Sequence, residues 1–598
     1  MRVGVDTGGT FTDVVTDDGR VAKVPSTPRD PGDAVRSGVD LVADAHRPEA
    51  LAHGTTVATN AVLERKGATV ALVTNAGFAD VIEIARQDRP SLYDHWVDRP
   101  EPVVDRDHRI EVRGRLGSDG TELETLSLDD LGELPEDTEA VAVCLLHSDL
   151  NPAHELAVTA ELEGRGFDVS PSCEVSPQFR EYERTATTVA NAYLRPLCQT
   201  YLGGLDGVAG EVTVMTSAGG LVSLGDGARL PASLLLSGPA GGVRAAAAAA
   251  VASGWPDAVT FDMGGTSTDV CLVLDGEPAP AGERSVAGLA IRLPSLDVHT
   301  VGAGGGSIAS LDRGGSLVVG PLSAGAVPGP ACYGQGGSAP TVTDADLVAG
   351  RYPEGAVLPG IGELDVAAAR RALNEAGVTA ADVIAVVDAN MQEAVRAVTV
   401  ARGVDPAGLA LVAFGGAGPL HAVAVARALD MAAVIVPARA GVLSAVGCLT
   451  APRQHDLVRT WPGGSDVTGL VEALDALARE AGALIEGSEV ETALDCRFEG
   501  QSHEIRVGSI EEFPAAHQLH NGYTRADTPI EVVAIRATAR VASPVGGDTL
   551  PAGRRTSVEG PAVIAEADCT IWVPDGWRAD PHPTSGALIL TRTSGRTR

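Results

Sequence analysis

Residues 6–13 read DTGGTFTD, and residues 262–269 read DMGGTSTD, identical at six of eight positions. Apolar alternation flanks both copies, so two β-hairpins are predicted, over Val3 to Val15 and Val259 to Leu274, each turning at its glycines. The composition of the repeat has a chemical reason. Paired glycines permit φ > 0 and let backbone N–H groups approach a phosphate. Threonine hydroxyls add donors, and a strand-end carboxylate can hold a hard cation through water or orient an attacking water. The candidate phosphate-binding residues are therefore Gly8, Gly9, Thr10 and Thr12 in one copy, and Gly264, Gly265, Thr266 and Thr268 in the other. Asp6, Asp13, Asp262 and Asp269 are the candidate catalytic carboxylates, with Asp6 and Asp262 the expected Mg2+ holders. A single D-x-G-G-T turn is also what any tight hairpin looks like. Two copies, each opening a predicted domain, favour a clamp on one polyphosphate, where positioning and charge neutralisation carry the chemistry.

The other common nucleotide loops are missing. Neither of the two lysines, Lys23 and Lys66, follows a G-x-x-x-x-G loop, and no G-x-G-x-x-G follows a strand. A third glycine cluster, FGGAGPLHA at Phe414 to Ala422, lies between an apolar strand and a helix. Its Gly415, Gly416 and Gly418 are expected to face the adenosine. SGPAGG, Ser237 to Gly242, opens a helix and suits either an anion or an ordinary cap. The glycine-rich stretch from 299 to 337 suits ligand contact or compact loop.

At 598 residues and 44% hydrophobic content the chain has material for about three domains. The expected limits are 1–197, 198–459, and a β-rich C-terminal unit at 460–598. The net charge of −34, from 79 acidic and 45 basic residues, 43 of them arginine, suggests a halophilic surface. It argues against nucleic acid as a partner, because no basic stripe exists to release counterions. No run resembles a membrane span or a signal peptide, so a cytoplasmic protein with no membrane attachment is expected. The eight cysteines are scattered singly, as buried apolar residues in a reducing compartment are.

With these residues in view, the chain resembles the hydantoinase A/oxoprolinase family of the actin-like ATPase superfamily. The resemblance runs nearly end to end: VGVDTGGTFTDVV, HGTTVATNAVLERKGA, IARQDRPSLYD, SPQFREYERTATTVANAYL, LLSGPAGGV, FDMGGTSTDV, LDVHTVGAGGGSIA, TVTDADLV, LVAFGGAGPLHA and GVLSAVG, in the family's order. It implies an α/β fold with two actin-like, RNase H-like domains around a nucleotide cleft, plus the β-rich C-terminal domain. It also implies use of ATP and Mg2+, and ring opening of a cyclic amide such as 5-oxoproline or an N-substituted hydantoin, by phosphorylation of the carbonyl oxygen. Related members are ATP-using subunits of acetone- or acetophenone-type carboxylases. A B-type subunit, fused to the same chain in some members and absent here, is the implied partner in an oligomer. The chain is also shorter than fuller members in its C-terminal third. Two readings of other classes stay open: an actin-like ATPase that drives a partner protein, and a simple sugar kinase.

Isolated residues carry weaker signals. His53 (before a G-T-T turn), Arg86 (in A-R-Q-D-R-P) and His299 (before G-A-G-G-G-S) are candidate substrate contacts. A capping histidine and an ordinary ion pair are the competing explanations for His53 and Arg86. His517 and His520 share a helix face without the carboxylate or cysteine a metal would need. Asp344 and Asp346 read as helix-capping residues before acid–base ones.

Overall fold

The repeat dictates the architecture of the computed structural model, which describes residues 1–27, 30–43, 46–358, 360–547, 550 and 553–593. In the first copy, strands Arg2–Thr7 and Phe11–Thr16 form an antiparallel hairpin, Val21–Pro25 extends it, and Ala50–Thr55 and Glu211–Met215 add parallel strands on the other side. In the second copy, Ala258–Met263 and Thr268–Leu274 pair antiparallel, with Glu277–Pro278 outside and Ala410–Phe414 and Ala433–Val436 parallel on the far side. The same order of strands thus occurs twice. Val3, Val5, Val14 and Val15 are fully buried, as are Val259, Phe261, Val270 and Val273, so apolar burial fixes the register of each hairpin. In the chain between strand Ala50–Thr55 and the long helix Glu181–Gly203 comes a separate four-stranded parallel sheet, ordered Val169–Pro171, Ala140–Val143, Val70–Asn75, Arg109–Val112.

The described residues from 460 to 593 are strand-rich, and their strands prolong both sheets. Arg453–Thr460 pairs with Leu221–Ser223 and Ile530–Val541, which carries Glu489–Phe498 and Ile505–Val507 outward, giving ten strands in the first sheet. Leu588–Arg592 and Trp577–Pro581 continue the second sheet from Val434. Strands 211–223, expected with the second unit, also belong to the first sheet. The physical reason is that an open sheet edge is a liability, and here the late strands cover one edge of each sheet.

The two units are locked by a close helix crossing. Helix Ser237–Ala252 packs on helix Leu443–Thr450, which lies on strand Arg2–Thr7. A Cβ on Gly447 would overlap the carbonyl of Gly241, and one on Gly4 would overlap the carbonyl of Ala445. SGPAGG and GVLSAVG therefore act here as a packing groove. Gly447→Ala is expected to destabilise the protein by about 1–3 kcal/mol through overpacking, read as a lower thermal midpoint. An unchanged midpoint would mean the helices can separate freely.

Candidate functional site

Antiparallel pairing places directly opposed residues on one face of a sheet. Asp6 lies opposite Asp13, and Asp262 opposite Asp269, in identical register. The turns match as well: Gly8 N donates to Phe11 O and Gly264 N to Ser267 O, both at 3.0 Å. The two hairpins face each other, since a Cβ on Gly265 would come 4.0 Å from Thr10 Oγ1. The carboxylates sense one another across the gap, with Asp6 and Asp13 both raising the pKa of Asp262.

The repeated glycines work differently from the expectation. None of Gly8, Gly9, Gly264 and Gly265 has positive φ. Their role is space: nothing lies within 4 Å of a Cβ built on Gly9, and only Thr10 is reached from Gly265. The main-chain N–H groups of Gly9, Thr10, Gly265 and Thr266 donate to no acceptor among the described residues. Four free amides on two open turns are what a phosphate chain requires.

The electrostatics point the same way. Burial, then Asp13, raise Asp6 to about 7, with Lys23 opposing. Burial raises Asp269 to about 6, against the hydrogen bond from Thr300 Oγ1 at 2.5 Å. Burial raises Asp13 too, and burial with Asp269 raises Asp262 well above the usual range. Asp6 Oδ1 is buried and accepts no hydrogen bond, while Gly54 and Gly238 leave it room: a Cβ there would stand 2.7 and 3.1 Å from it. One lysine faces these acids, Lys23 Nζ at 2.9 Å from Asp13 Oδ1. Several carboxylates, one ammonium and an orphaned oxygen make a donor set suited to a hard divalent cation.

The remaining candidates divide. Thr10 and Thr266 carry hydroxyls with no partner among the described residues, at the turns. Thr12 and Thr268 are corrected: both are fully buried, with Thr12 Oγ1 3.2 Å from Ser26 Oγ and Thr268 Oγ1 donating to Ala303 O at 2.6 Å. Gly416 opens onto free space. Gly415 (φ 78°) instead lets the chain pass Asp262, and Gly418 packs on Phe261. His53 is fully buried and bonds Tyr201 Oη at 2.6 Å, its pKa lowered by burial to about 4; it supports the sheet from beneath. Arg86 gives Nε and Nη2 to Glu183 at 2.7 and 2.5 Å, the ion-pair alternative. His299 is exposed; its neighbour Thr300 is the residue that holds Asp269. His517 is buried with its ring against those of Phe498, Phe513 and Tyr523. Asp344 completes a capping box with Thr341, and Asp346 binds buried His421. The stretch Gly304–Gly306 lies against the second turn, Gly305 N donating to Gly264 O and Gly306 N to Gly265 O.

Two residues escaped the sequence reading. Lys23 stands opposite Asp13 in the third strand, and its one available signal was rarity, as one of two lysines. Asp568 receives Gly441 N at 2.8 Å and adds negative charge near Asp13; nothing in its local sequence marks it.

Family models give the decisive observation. Residues 2–166 match the hydantoinase/oxoprolinase N-terminal region and residues 184–456 match hydantoinase/oxoprolinase. The chain belongs to the hydantoinase/oxoprolinase family. Within the family, the caprolactamase alpha subunit of Pseudomonas jessenii is 32% identical, over 98% of each chain. The crystal structure of ATP-dependent caprolactamase from that organism matches at a TM-score of 0.84, with 31% identity, over 99% of this chain and 100% of the other. Nucleotide-free acetone carboxylase matches at 0.77 with 25% identity, over 99% of both chains. 5-Oxoprolinase 1 of Arabidopsis thaliana is 34% identical over 85% of this chain, which spans 46% of that protein. The fold is accordingly the mixed α/β architecture built on two actin-like ATPase domains. No helix among the described residues is long and apolar enough to cross a membrane.

Proposed function

We propose that the chain uses ATP to activate the carbonyl of a cyclic amide for ring opening, together with a B-type subunit. The observation that carries this reading is the facing pair of register-matched hairpins, with four free amides and four crowded carboxylates between them. A lactam resists hydrolysis, and phosphorylating its oxygen turns that oxygen into a leaving group. Relatives named caprolactamase and 5-oxoprolinase support the substrate class.

This chain's residues have definable tasks. The turn amides with the Thr10 and Thr266 hydroxyls bind and align phosphate oxygens. Asp6 and Asp262 would hold Mg2+, which supplies neutralisation of phosphate charge. In the metal-free site burial and then Asp13 hold Asp6 at about 7, so a bound cation would displace its proton. Lys23 restrains Asp13, and Thr300 fixes the rotamer of Asp269.

A second reading, the ATP-using subunit of a carboxylase, has its own support in the acetone carboxylase match and in a 34% identical acetophenone carboxylase gamma subunit of Aromatoleum aromaticum. ATP turnover measured with 5-oxoproline, ε-caprolactam and N-methylhydantoin, then with acetone and bicarbonate, separates the two. Stimulation by a lactam with an amino-acid product supports ring opening. Stimulation by ketone and bicarbonate alone would replace it with the carboxylase reading. Response to neither, with a purified second subunit present, would leave a partner-driving ATPase.

A further inference from the structure

The turn at 439–442 joins strand Ala433–Val436 to helix Leu443–Thr450, the helix that lies on strand Arg2–Thr7. Four separate elements meet this turn. Arg439 Nη2 donates to Gly19 O at 2.9 Å, just before strand Val21–Pro25. Ala440 O accepts Gly415 N at 2.9 Å, from the glycine turn that passes Asp262. Gly441 O accepts Lys23 Nζ at 3.3 Å, and Gly441 N donates to Asp568 Oδ2 at 2.8 Å. One short turn thus touches the outer strand of the first hairpin, the third glycine cluster beside the second, and the C-terminal unit.

Asp568 lies in the tight turn between strands Ala562–Ala565 and Thr570–Val573. The two turns meet because residue 441 has no side chain: a Cβ there would stand 1.8 Å from the Asp568 carbonyl oxygen. The other acid of the turn, Glu566, is occupied by Arg555 at 2.8 and 2.5 Å. The Asp568 carboxylate is committed instead to a main-chain amide, a charge-assisted bond that fixes where the Gly441 peptide sits. Lys23 reads that position. Its Nζ stands 2.9 Å from Asp13 Oδ1 as well as 3.3 Å from Gly441 O, and its side chain is 20% exposed. An ammonium is a point charge with three rotatable donors, so a second acceptor is what holds it beside one carboxylate. Asp13 lies opposite Asp6, so this ammonium sets the charge next to a carboxylate assigned to Mg2+. Its field opposes the effect of burial at Asp6, Asp13 and Asp262 alike.

We propose that Asp568 is a positioning residue for the ATP chemistry: through Gly441 it holds Lys23 against Asp13, so that the C-terminal unit completes the cleft between the hairpins. This rests on the reading that the hairpin cleft turns over ATP, whichever compound is activated. The chain has two lysines, and the other, Lys66, is 73% exposed, so the geometry can be read without turnover. The full chain is treated with a trace of an amine-reactive ester, and labelling of each lysine is followed by peptide mass spectrometry. Asp568→Ala is expected to speed labelling of Lys23 at least about fivefold and to leave Lys66 at its original rate. Asp568→Asn keeps an oxygen for Gly441 N and should label like the unmodified chain. ATP turnover is measured in the same variants. Asp568→Ala should lower kcat at least about tenfold with KM for ATP within about threefold, Asp568→Asn should recover most of that loss, and Lys23→Ala combined with Asp568→Ala should lose no more than Lys23→Ala alone. Asp568→Leu, close to aspartate in shape and without an acceptor, replaces Asp568→Ala if the alanine variant fails to fold. Lys23 labelling indifferent to loss of the carboxylate, or losses that add in the double variant, would overturn the proposal. Turnover lost in Asp6→Asn but kept in Asp568→Ala would overturn it alone, whereas turnover kept in Asp6→Asn would overturn the cleft reading with it.

Discussion

Asp6→Asn and Asp262→Asn are each expected to lower ATP turnover by at least about a hundredfold while leaving the metal-free protein as stable as before, or more so. The first half follows from position. Both carboxylates lie at the end of the strand that enters a glycine turn, and Asp6 Oδ1 accepts nothing from the protein. The second half follows from the cost of holding them there. Burial, then Asp13, raise Asp6 from 3.8 to about 7, so the fold prefers it protonated. An acid whose folded pKa lies above its unfolded value contributes stability below about pH 4, and this is lost as pH rises through about 7. In EDTA the thermal midpoint of the unmodified chain should therefore fall between about pH 4 and pH 7, and the fall should be smaller in Asp6→Asn. Mg2+ should reverse it, raising the midpoint more at pH 8 than at pH 6, because a cation competes with protons for the same oxygens. Turnover of either variant at the rate of the unmodified chain would remove the two-hairpin clamp as the site of ATP chemistry. A midpoint indifferent to Mg2+ at every pH would remove these carboxylates as its holders.

The architecture was legible because the repeat encodes it. Two matched hairpins specify two matched sheets, and the opposed pairs Asp6–Asp13 and Asp262–Asp269 follow from register alone. What misled the residue assignments was the alternation of side chains along a strand. Thr12 precedes Asp13 and Thr268 precedes Asp269, so if the acid faces the cleft the threonine faces the core, where both are found. His53 precedes Gly54, the neighbour of Asp6, and points away for the same reason. His299 sits opposite Val270, and Thr300, one residue on, meets Asp269. Two-residue periodicity applied to each motif would have sorted these without coordinates. Lys23, Asp568 and the late strands are different. Each depends on which distant strand or turn lies alongside, and that is decided by how edges are covered, a tertiary choice that no local pattern states.

His421→Asn is expected to destabilise the protein by about 3–5 kcal/mol, the usual cost of removing one partner from a buried ion network. His421 lies in the first turn of helix Gly418–Ala428, directly after the Gly415–Gly416 turn beside Asp262. Its Nδ1 is 2.7 Å from Asp388 and its Nε2 3.0 Å from Asp346, and Arg351 Nη1 lies 3.2 Å from Asp346. The histidine is fully buried. Burial pulls its pKa down, and Asp346 and Asp388 more than restore it, to about 9. As an imidazolium it balances the quartet: two cations against two carboxylates, holding helices Val342–Val348 and Ala380–Val398 onto the turn. A histidine raised in the fold contributes its full stability below about pH 6.5, and that contribution is lost as pH rises through about 9. The urea midpoint should thus decline from pH 6.5 to 9 in the unmodified chain, and this part of the decline should be missing in His421→Asn. Because the cluster supports the glycine turn, nucleotide affinity should weaken in parallel with stability, whereas the carboxylate variants dissociate the two. Full stability and full affinity in His421→Asn would mean that the two aspartates find other partners, and that the helix after the third glycine cluster is held by apolar packing alone.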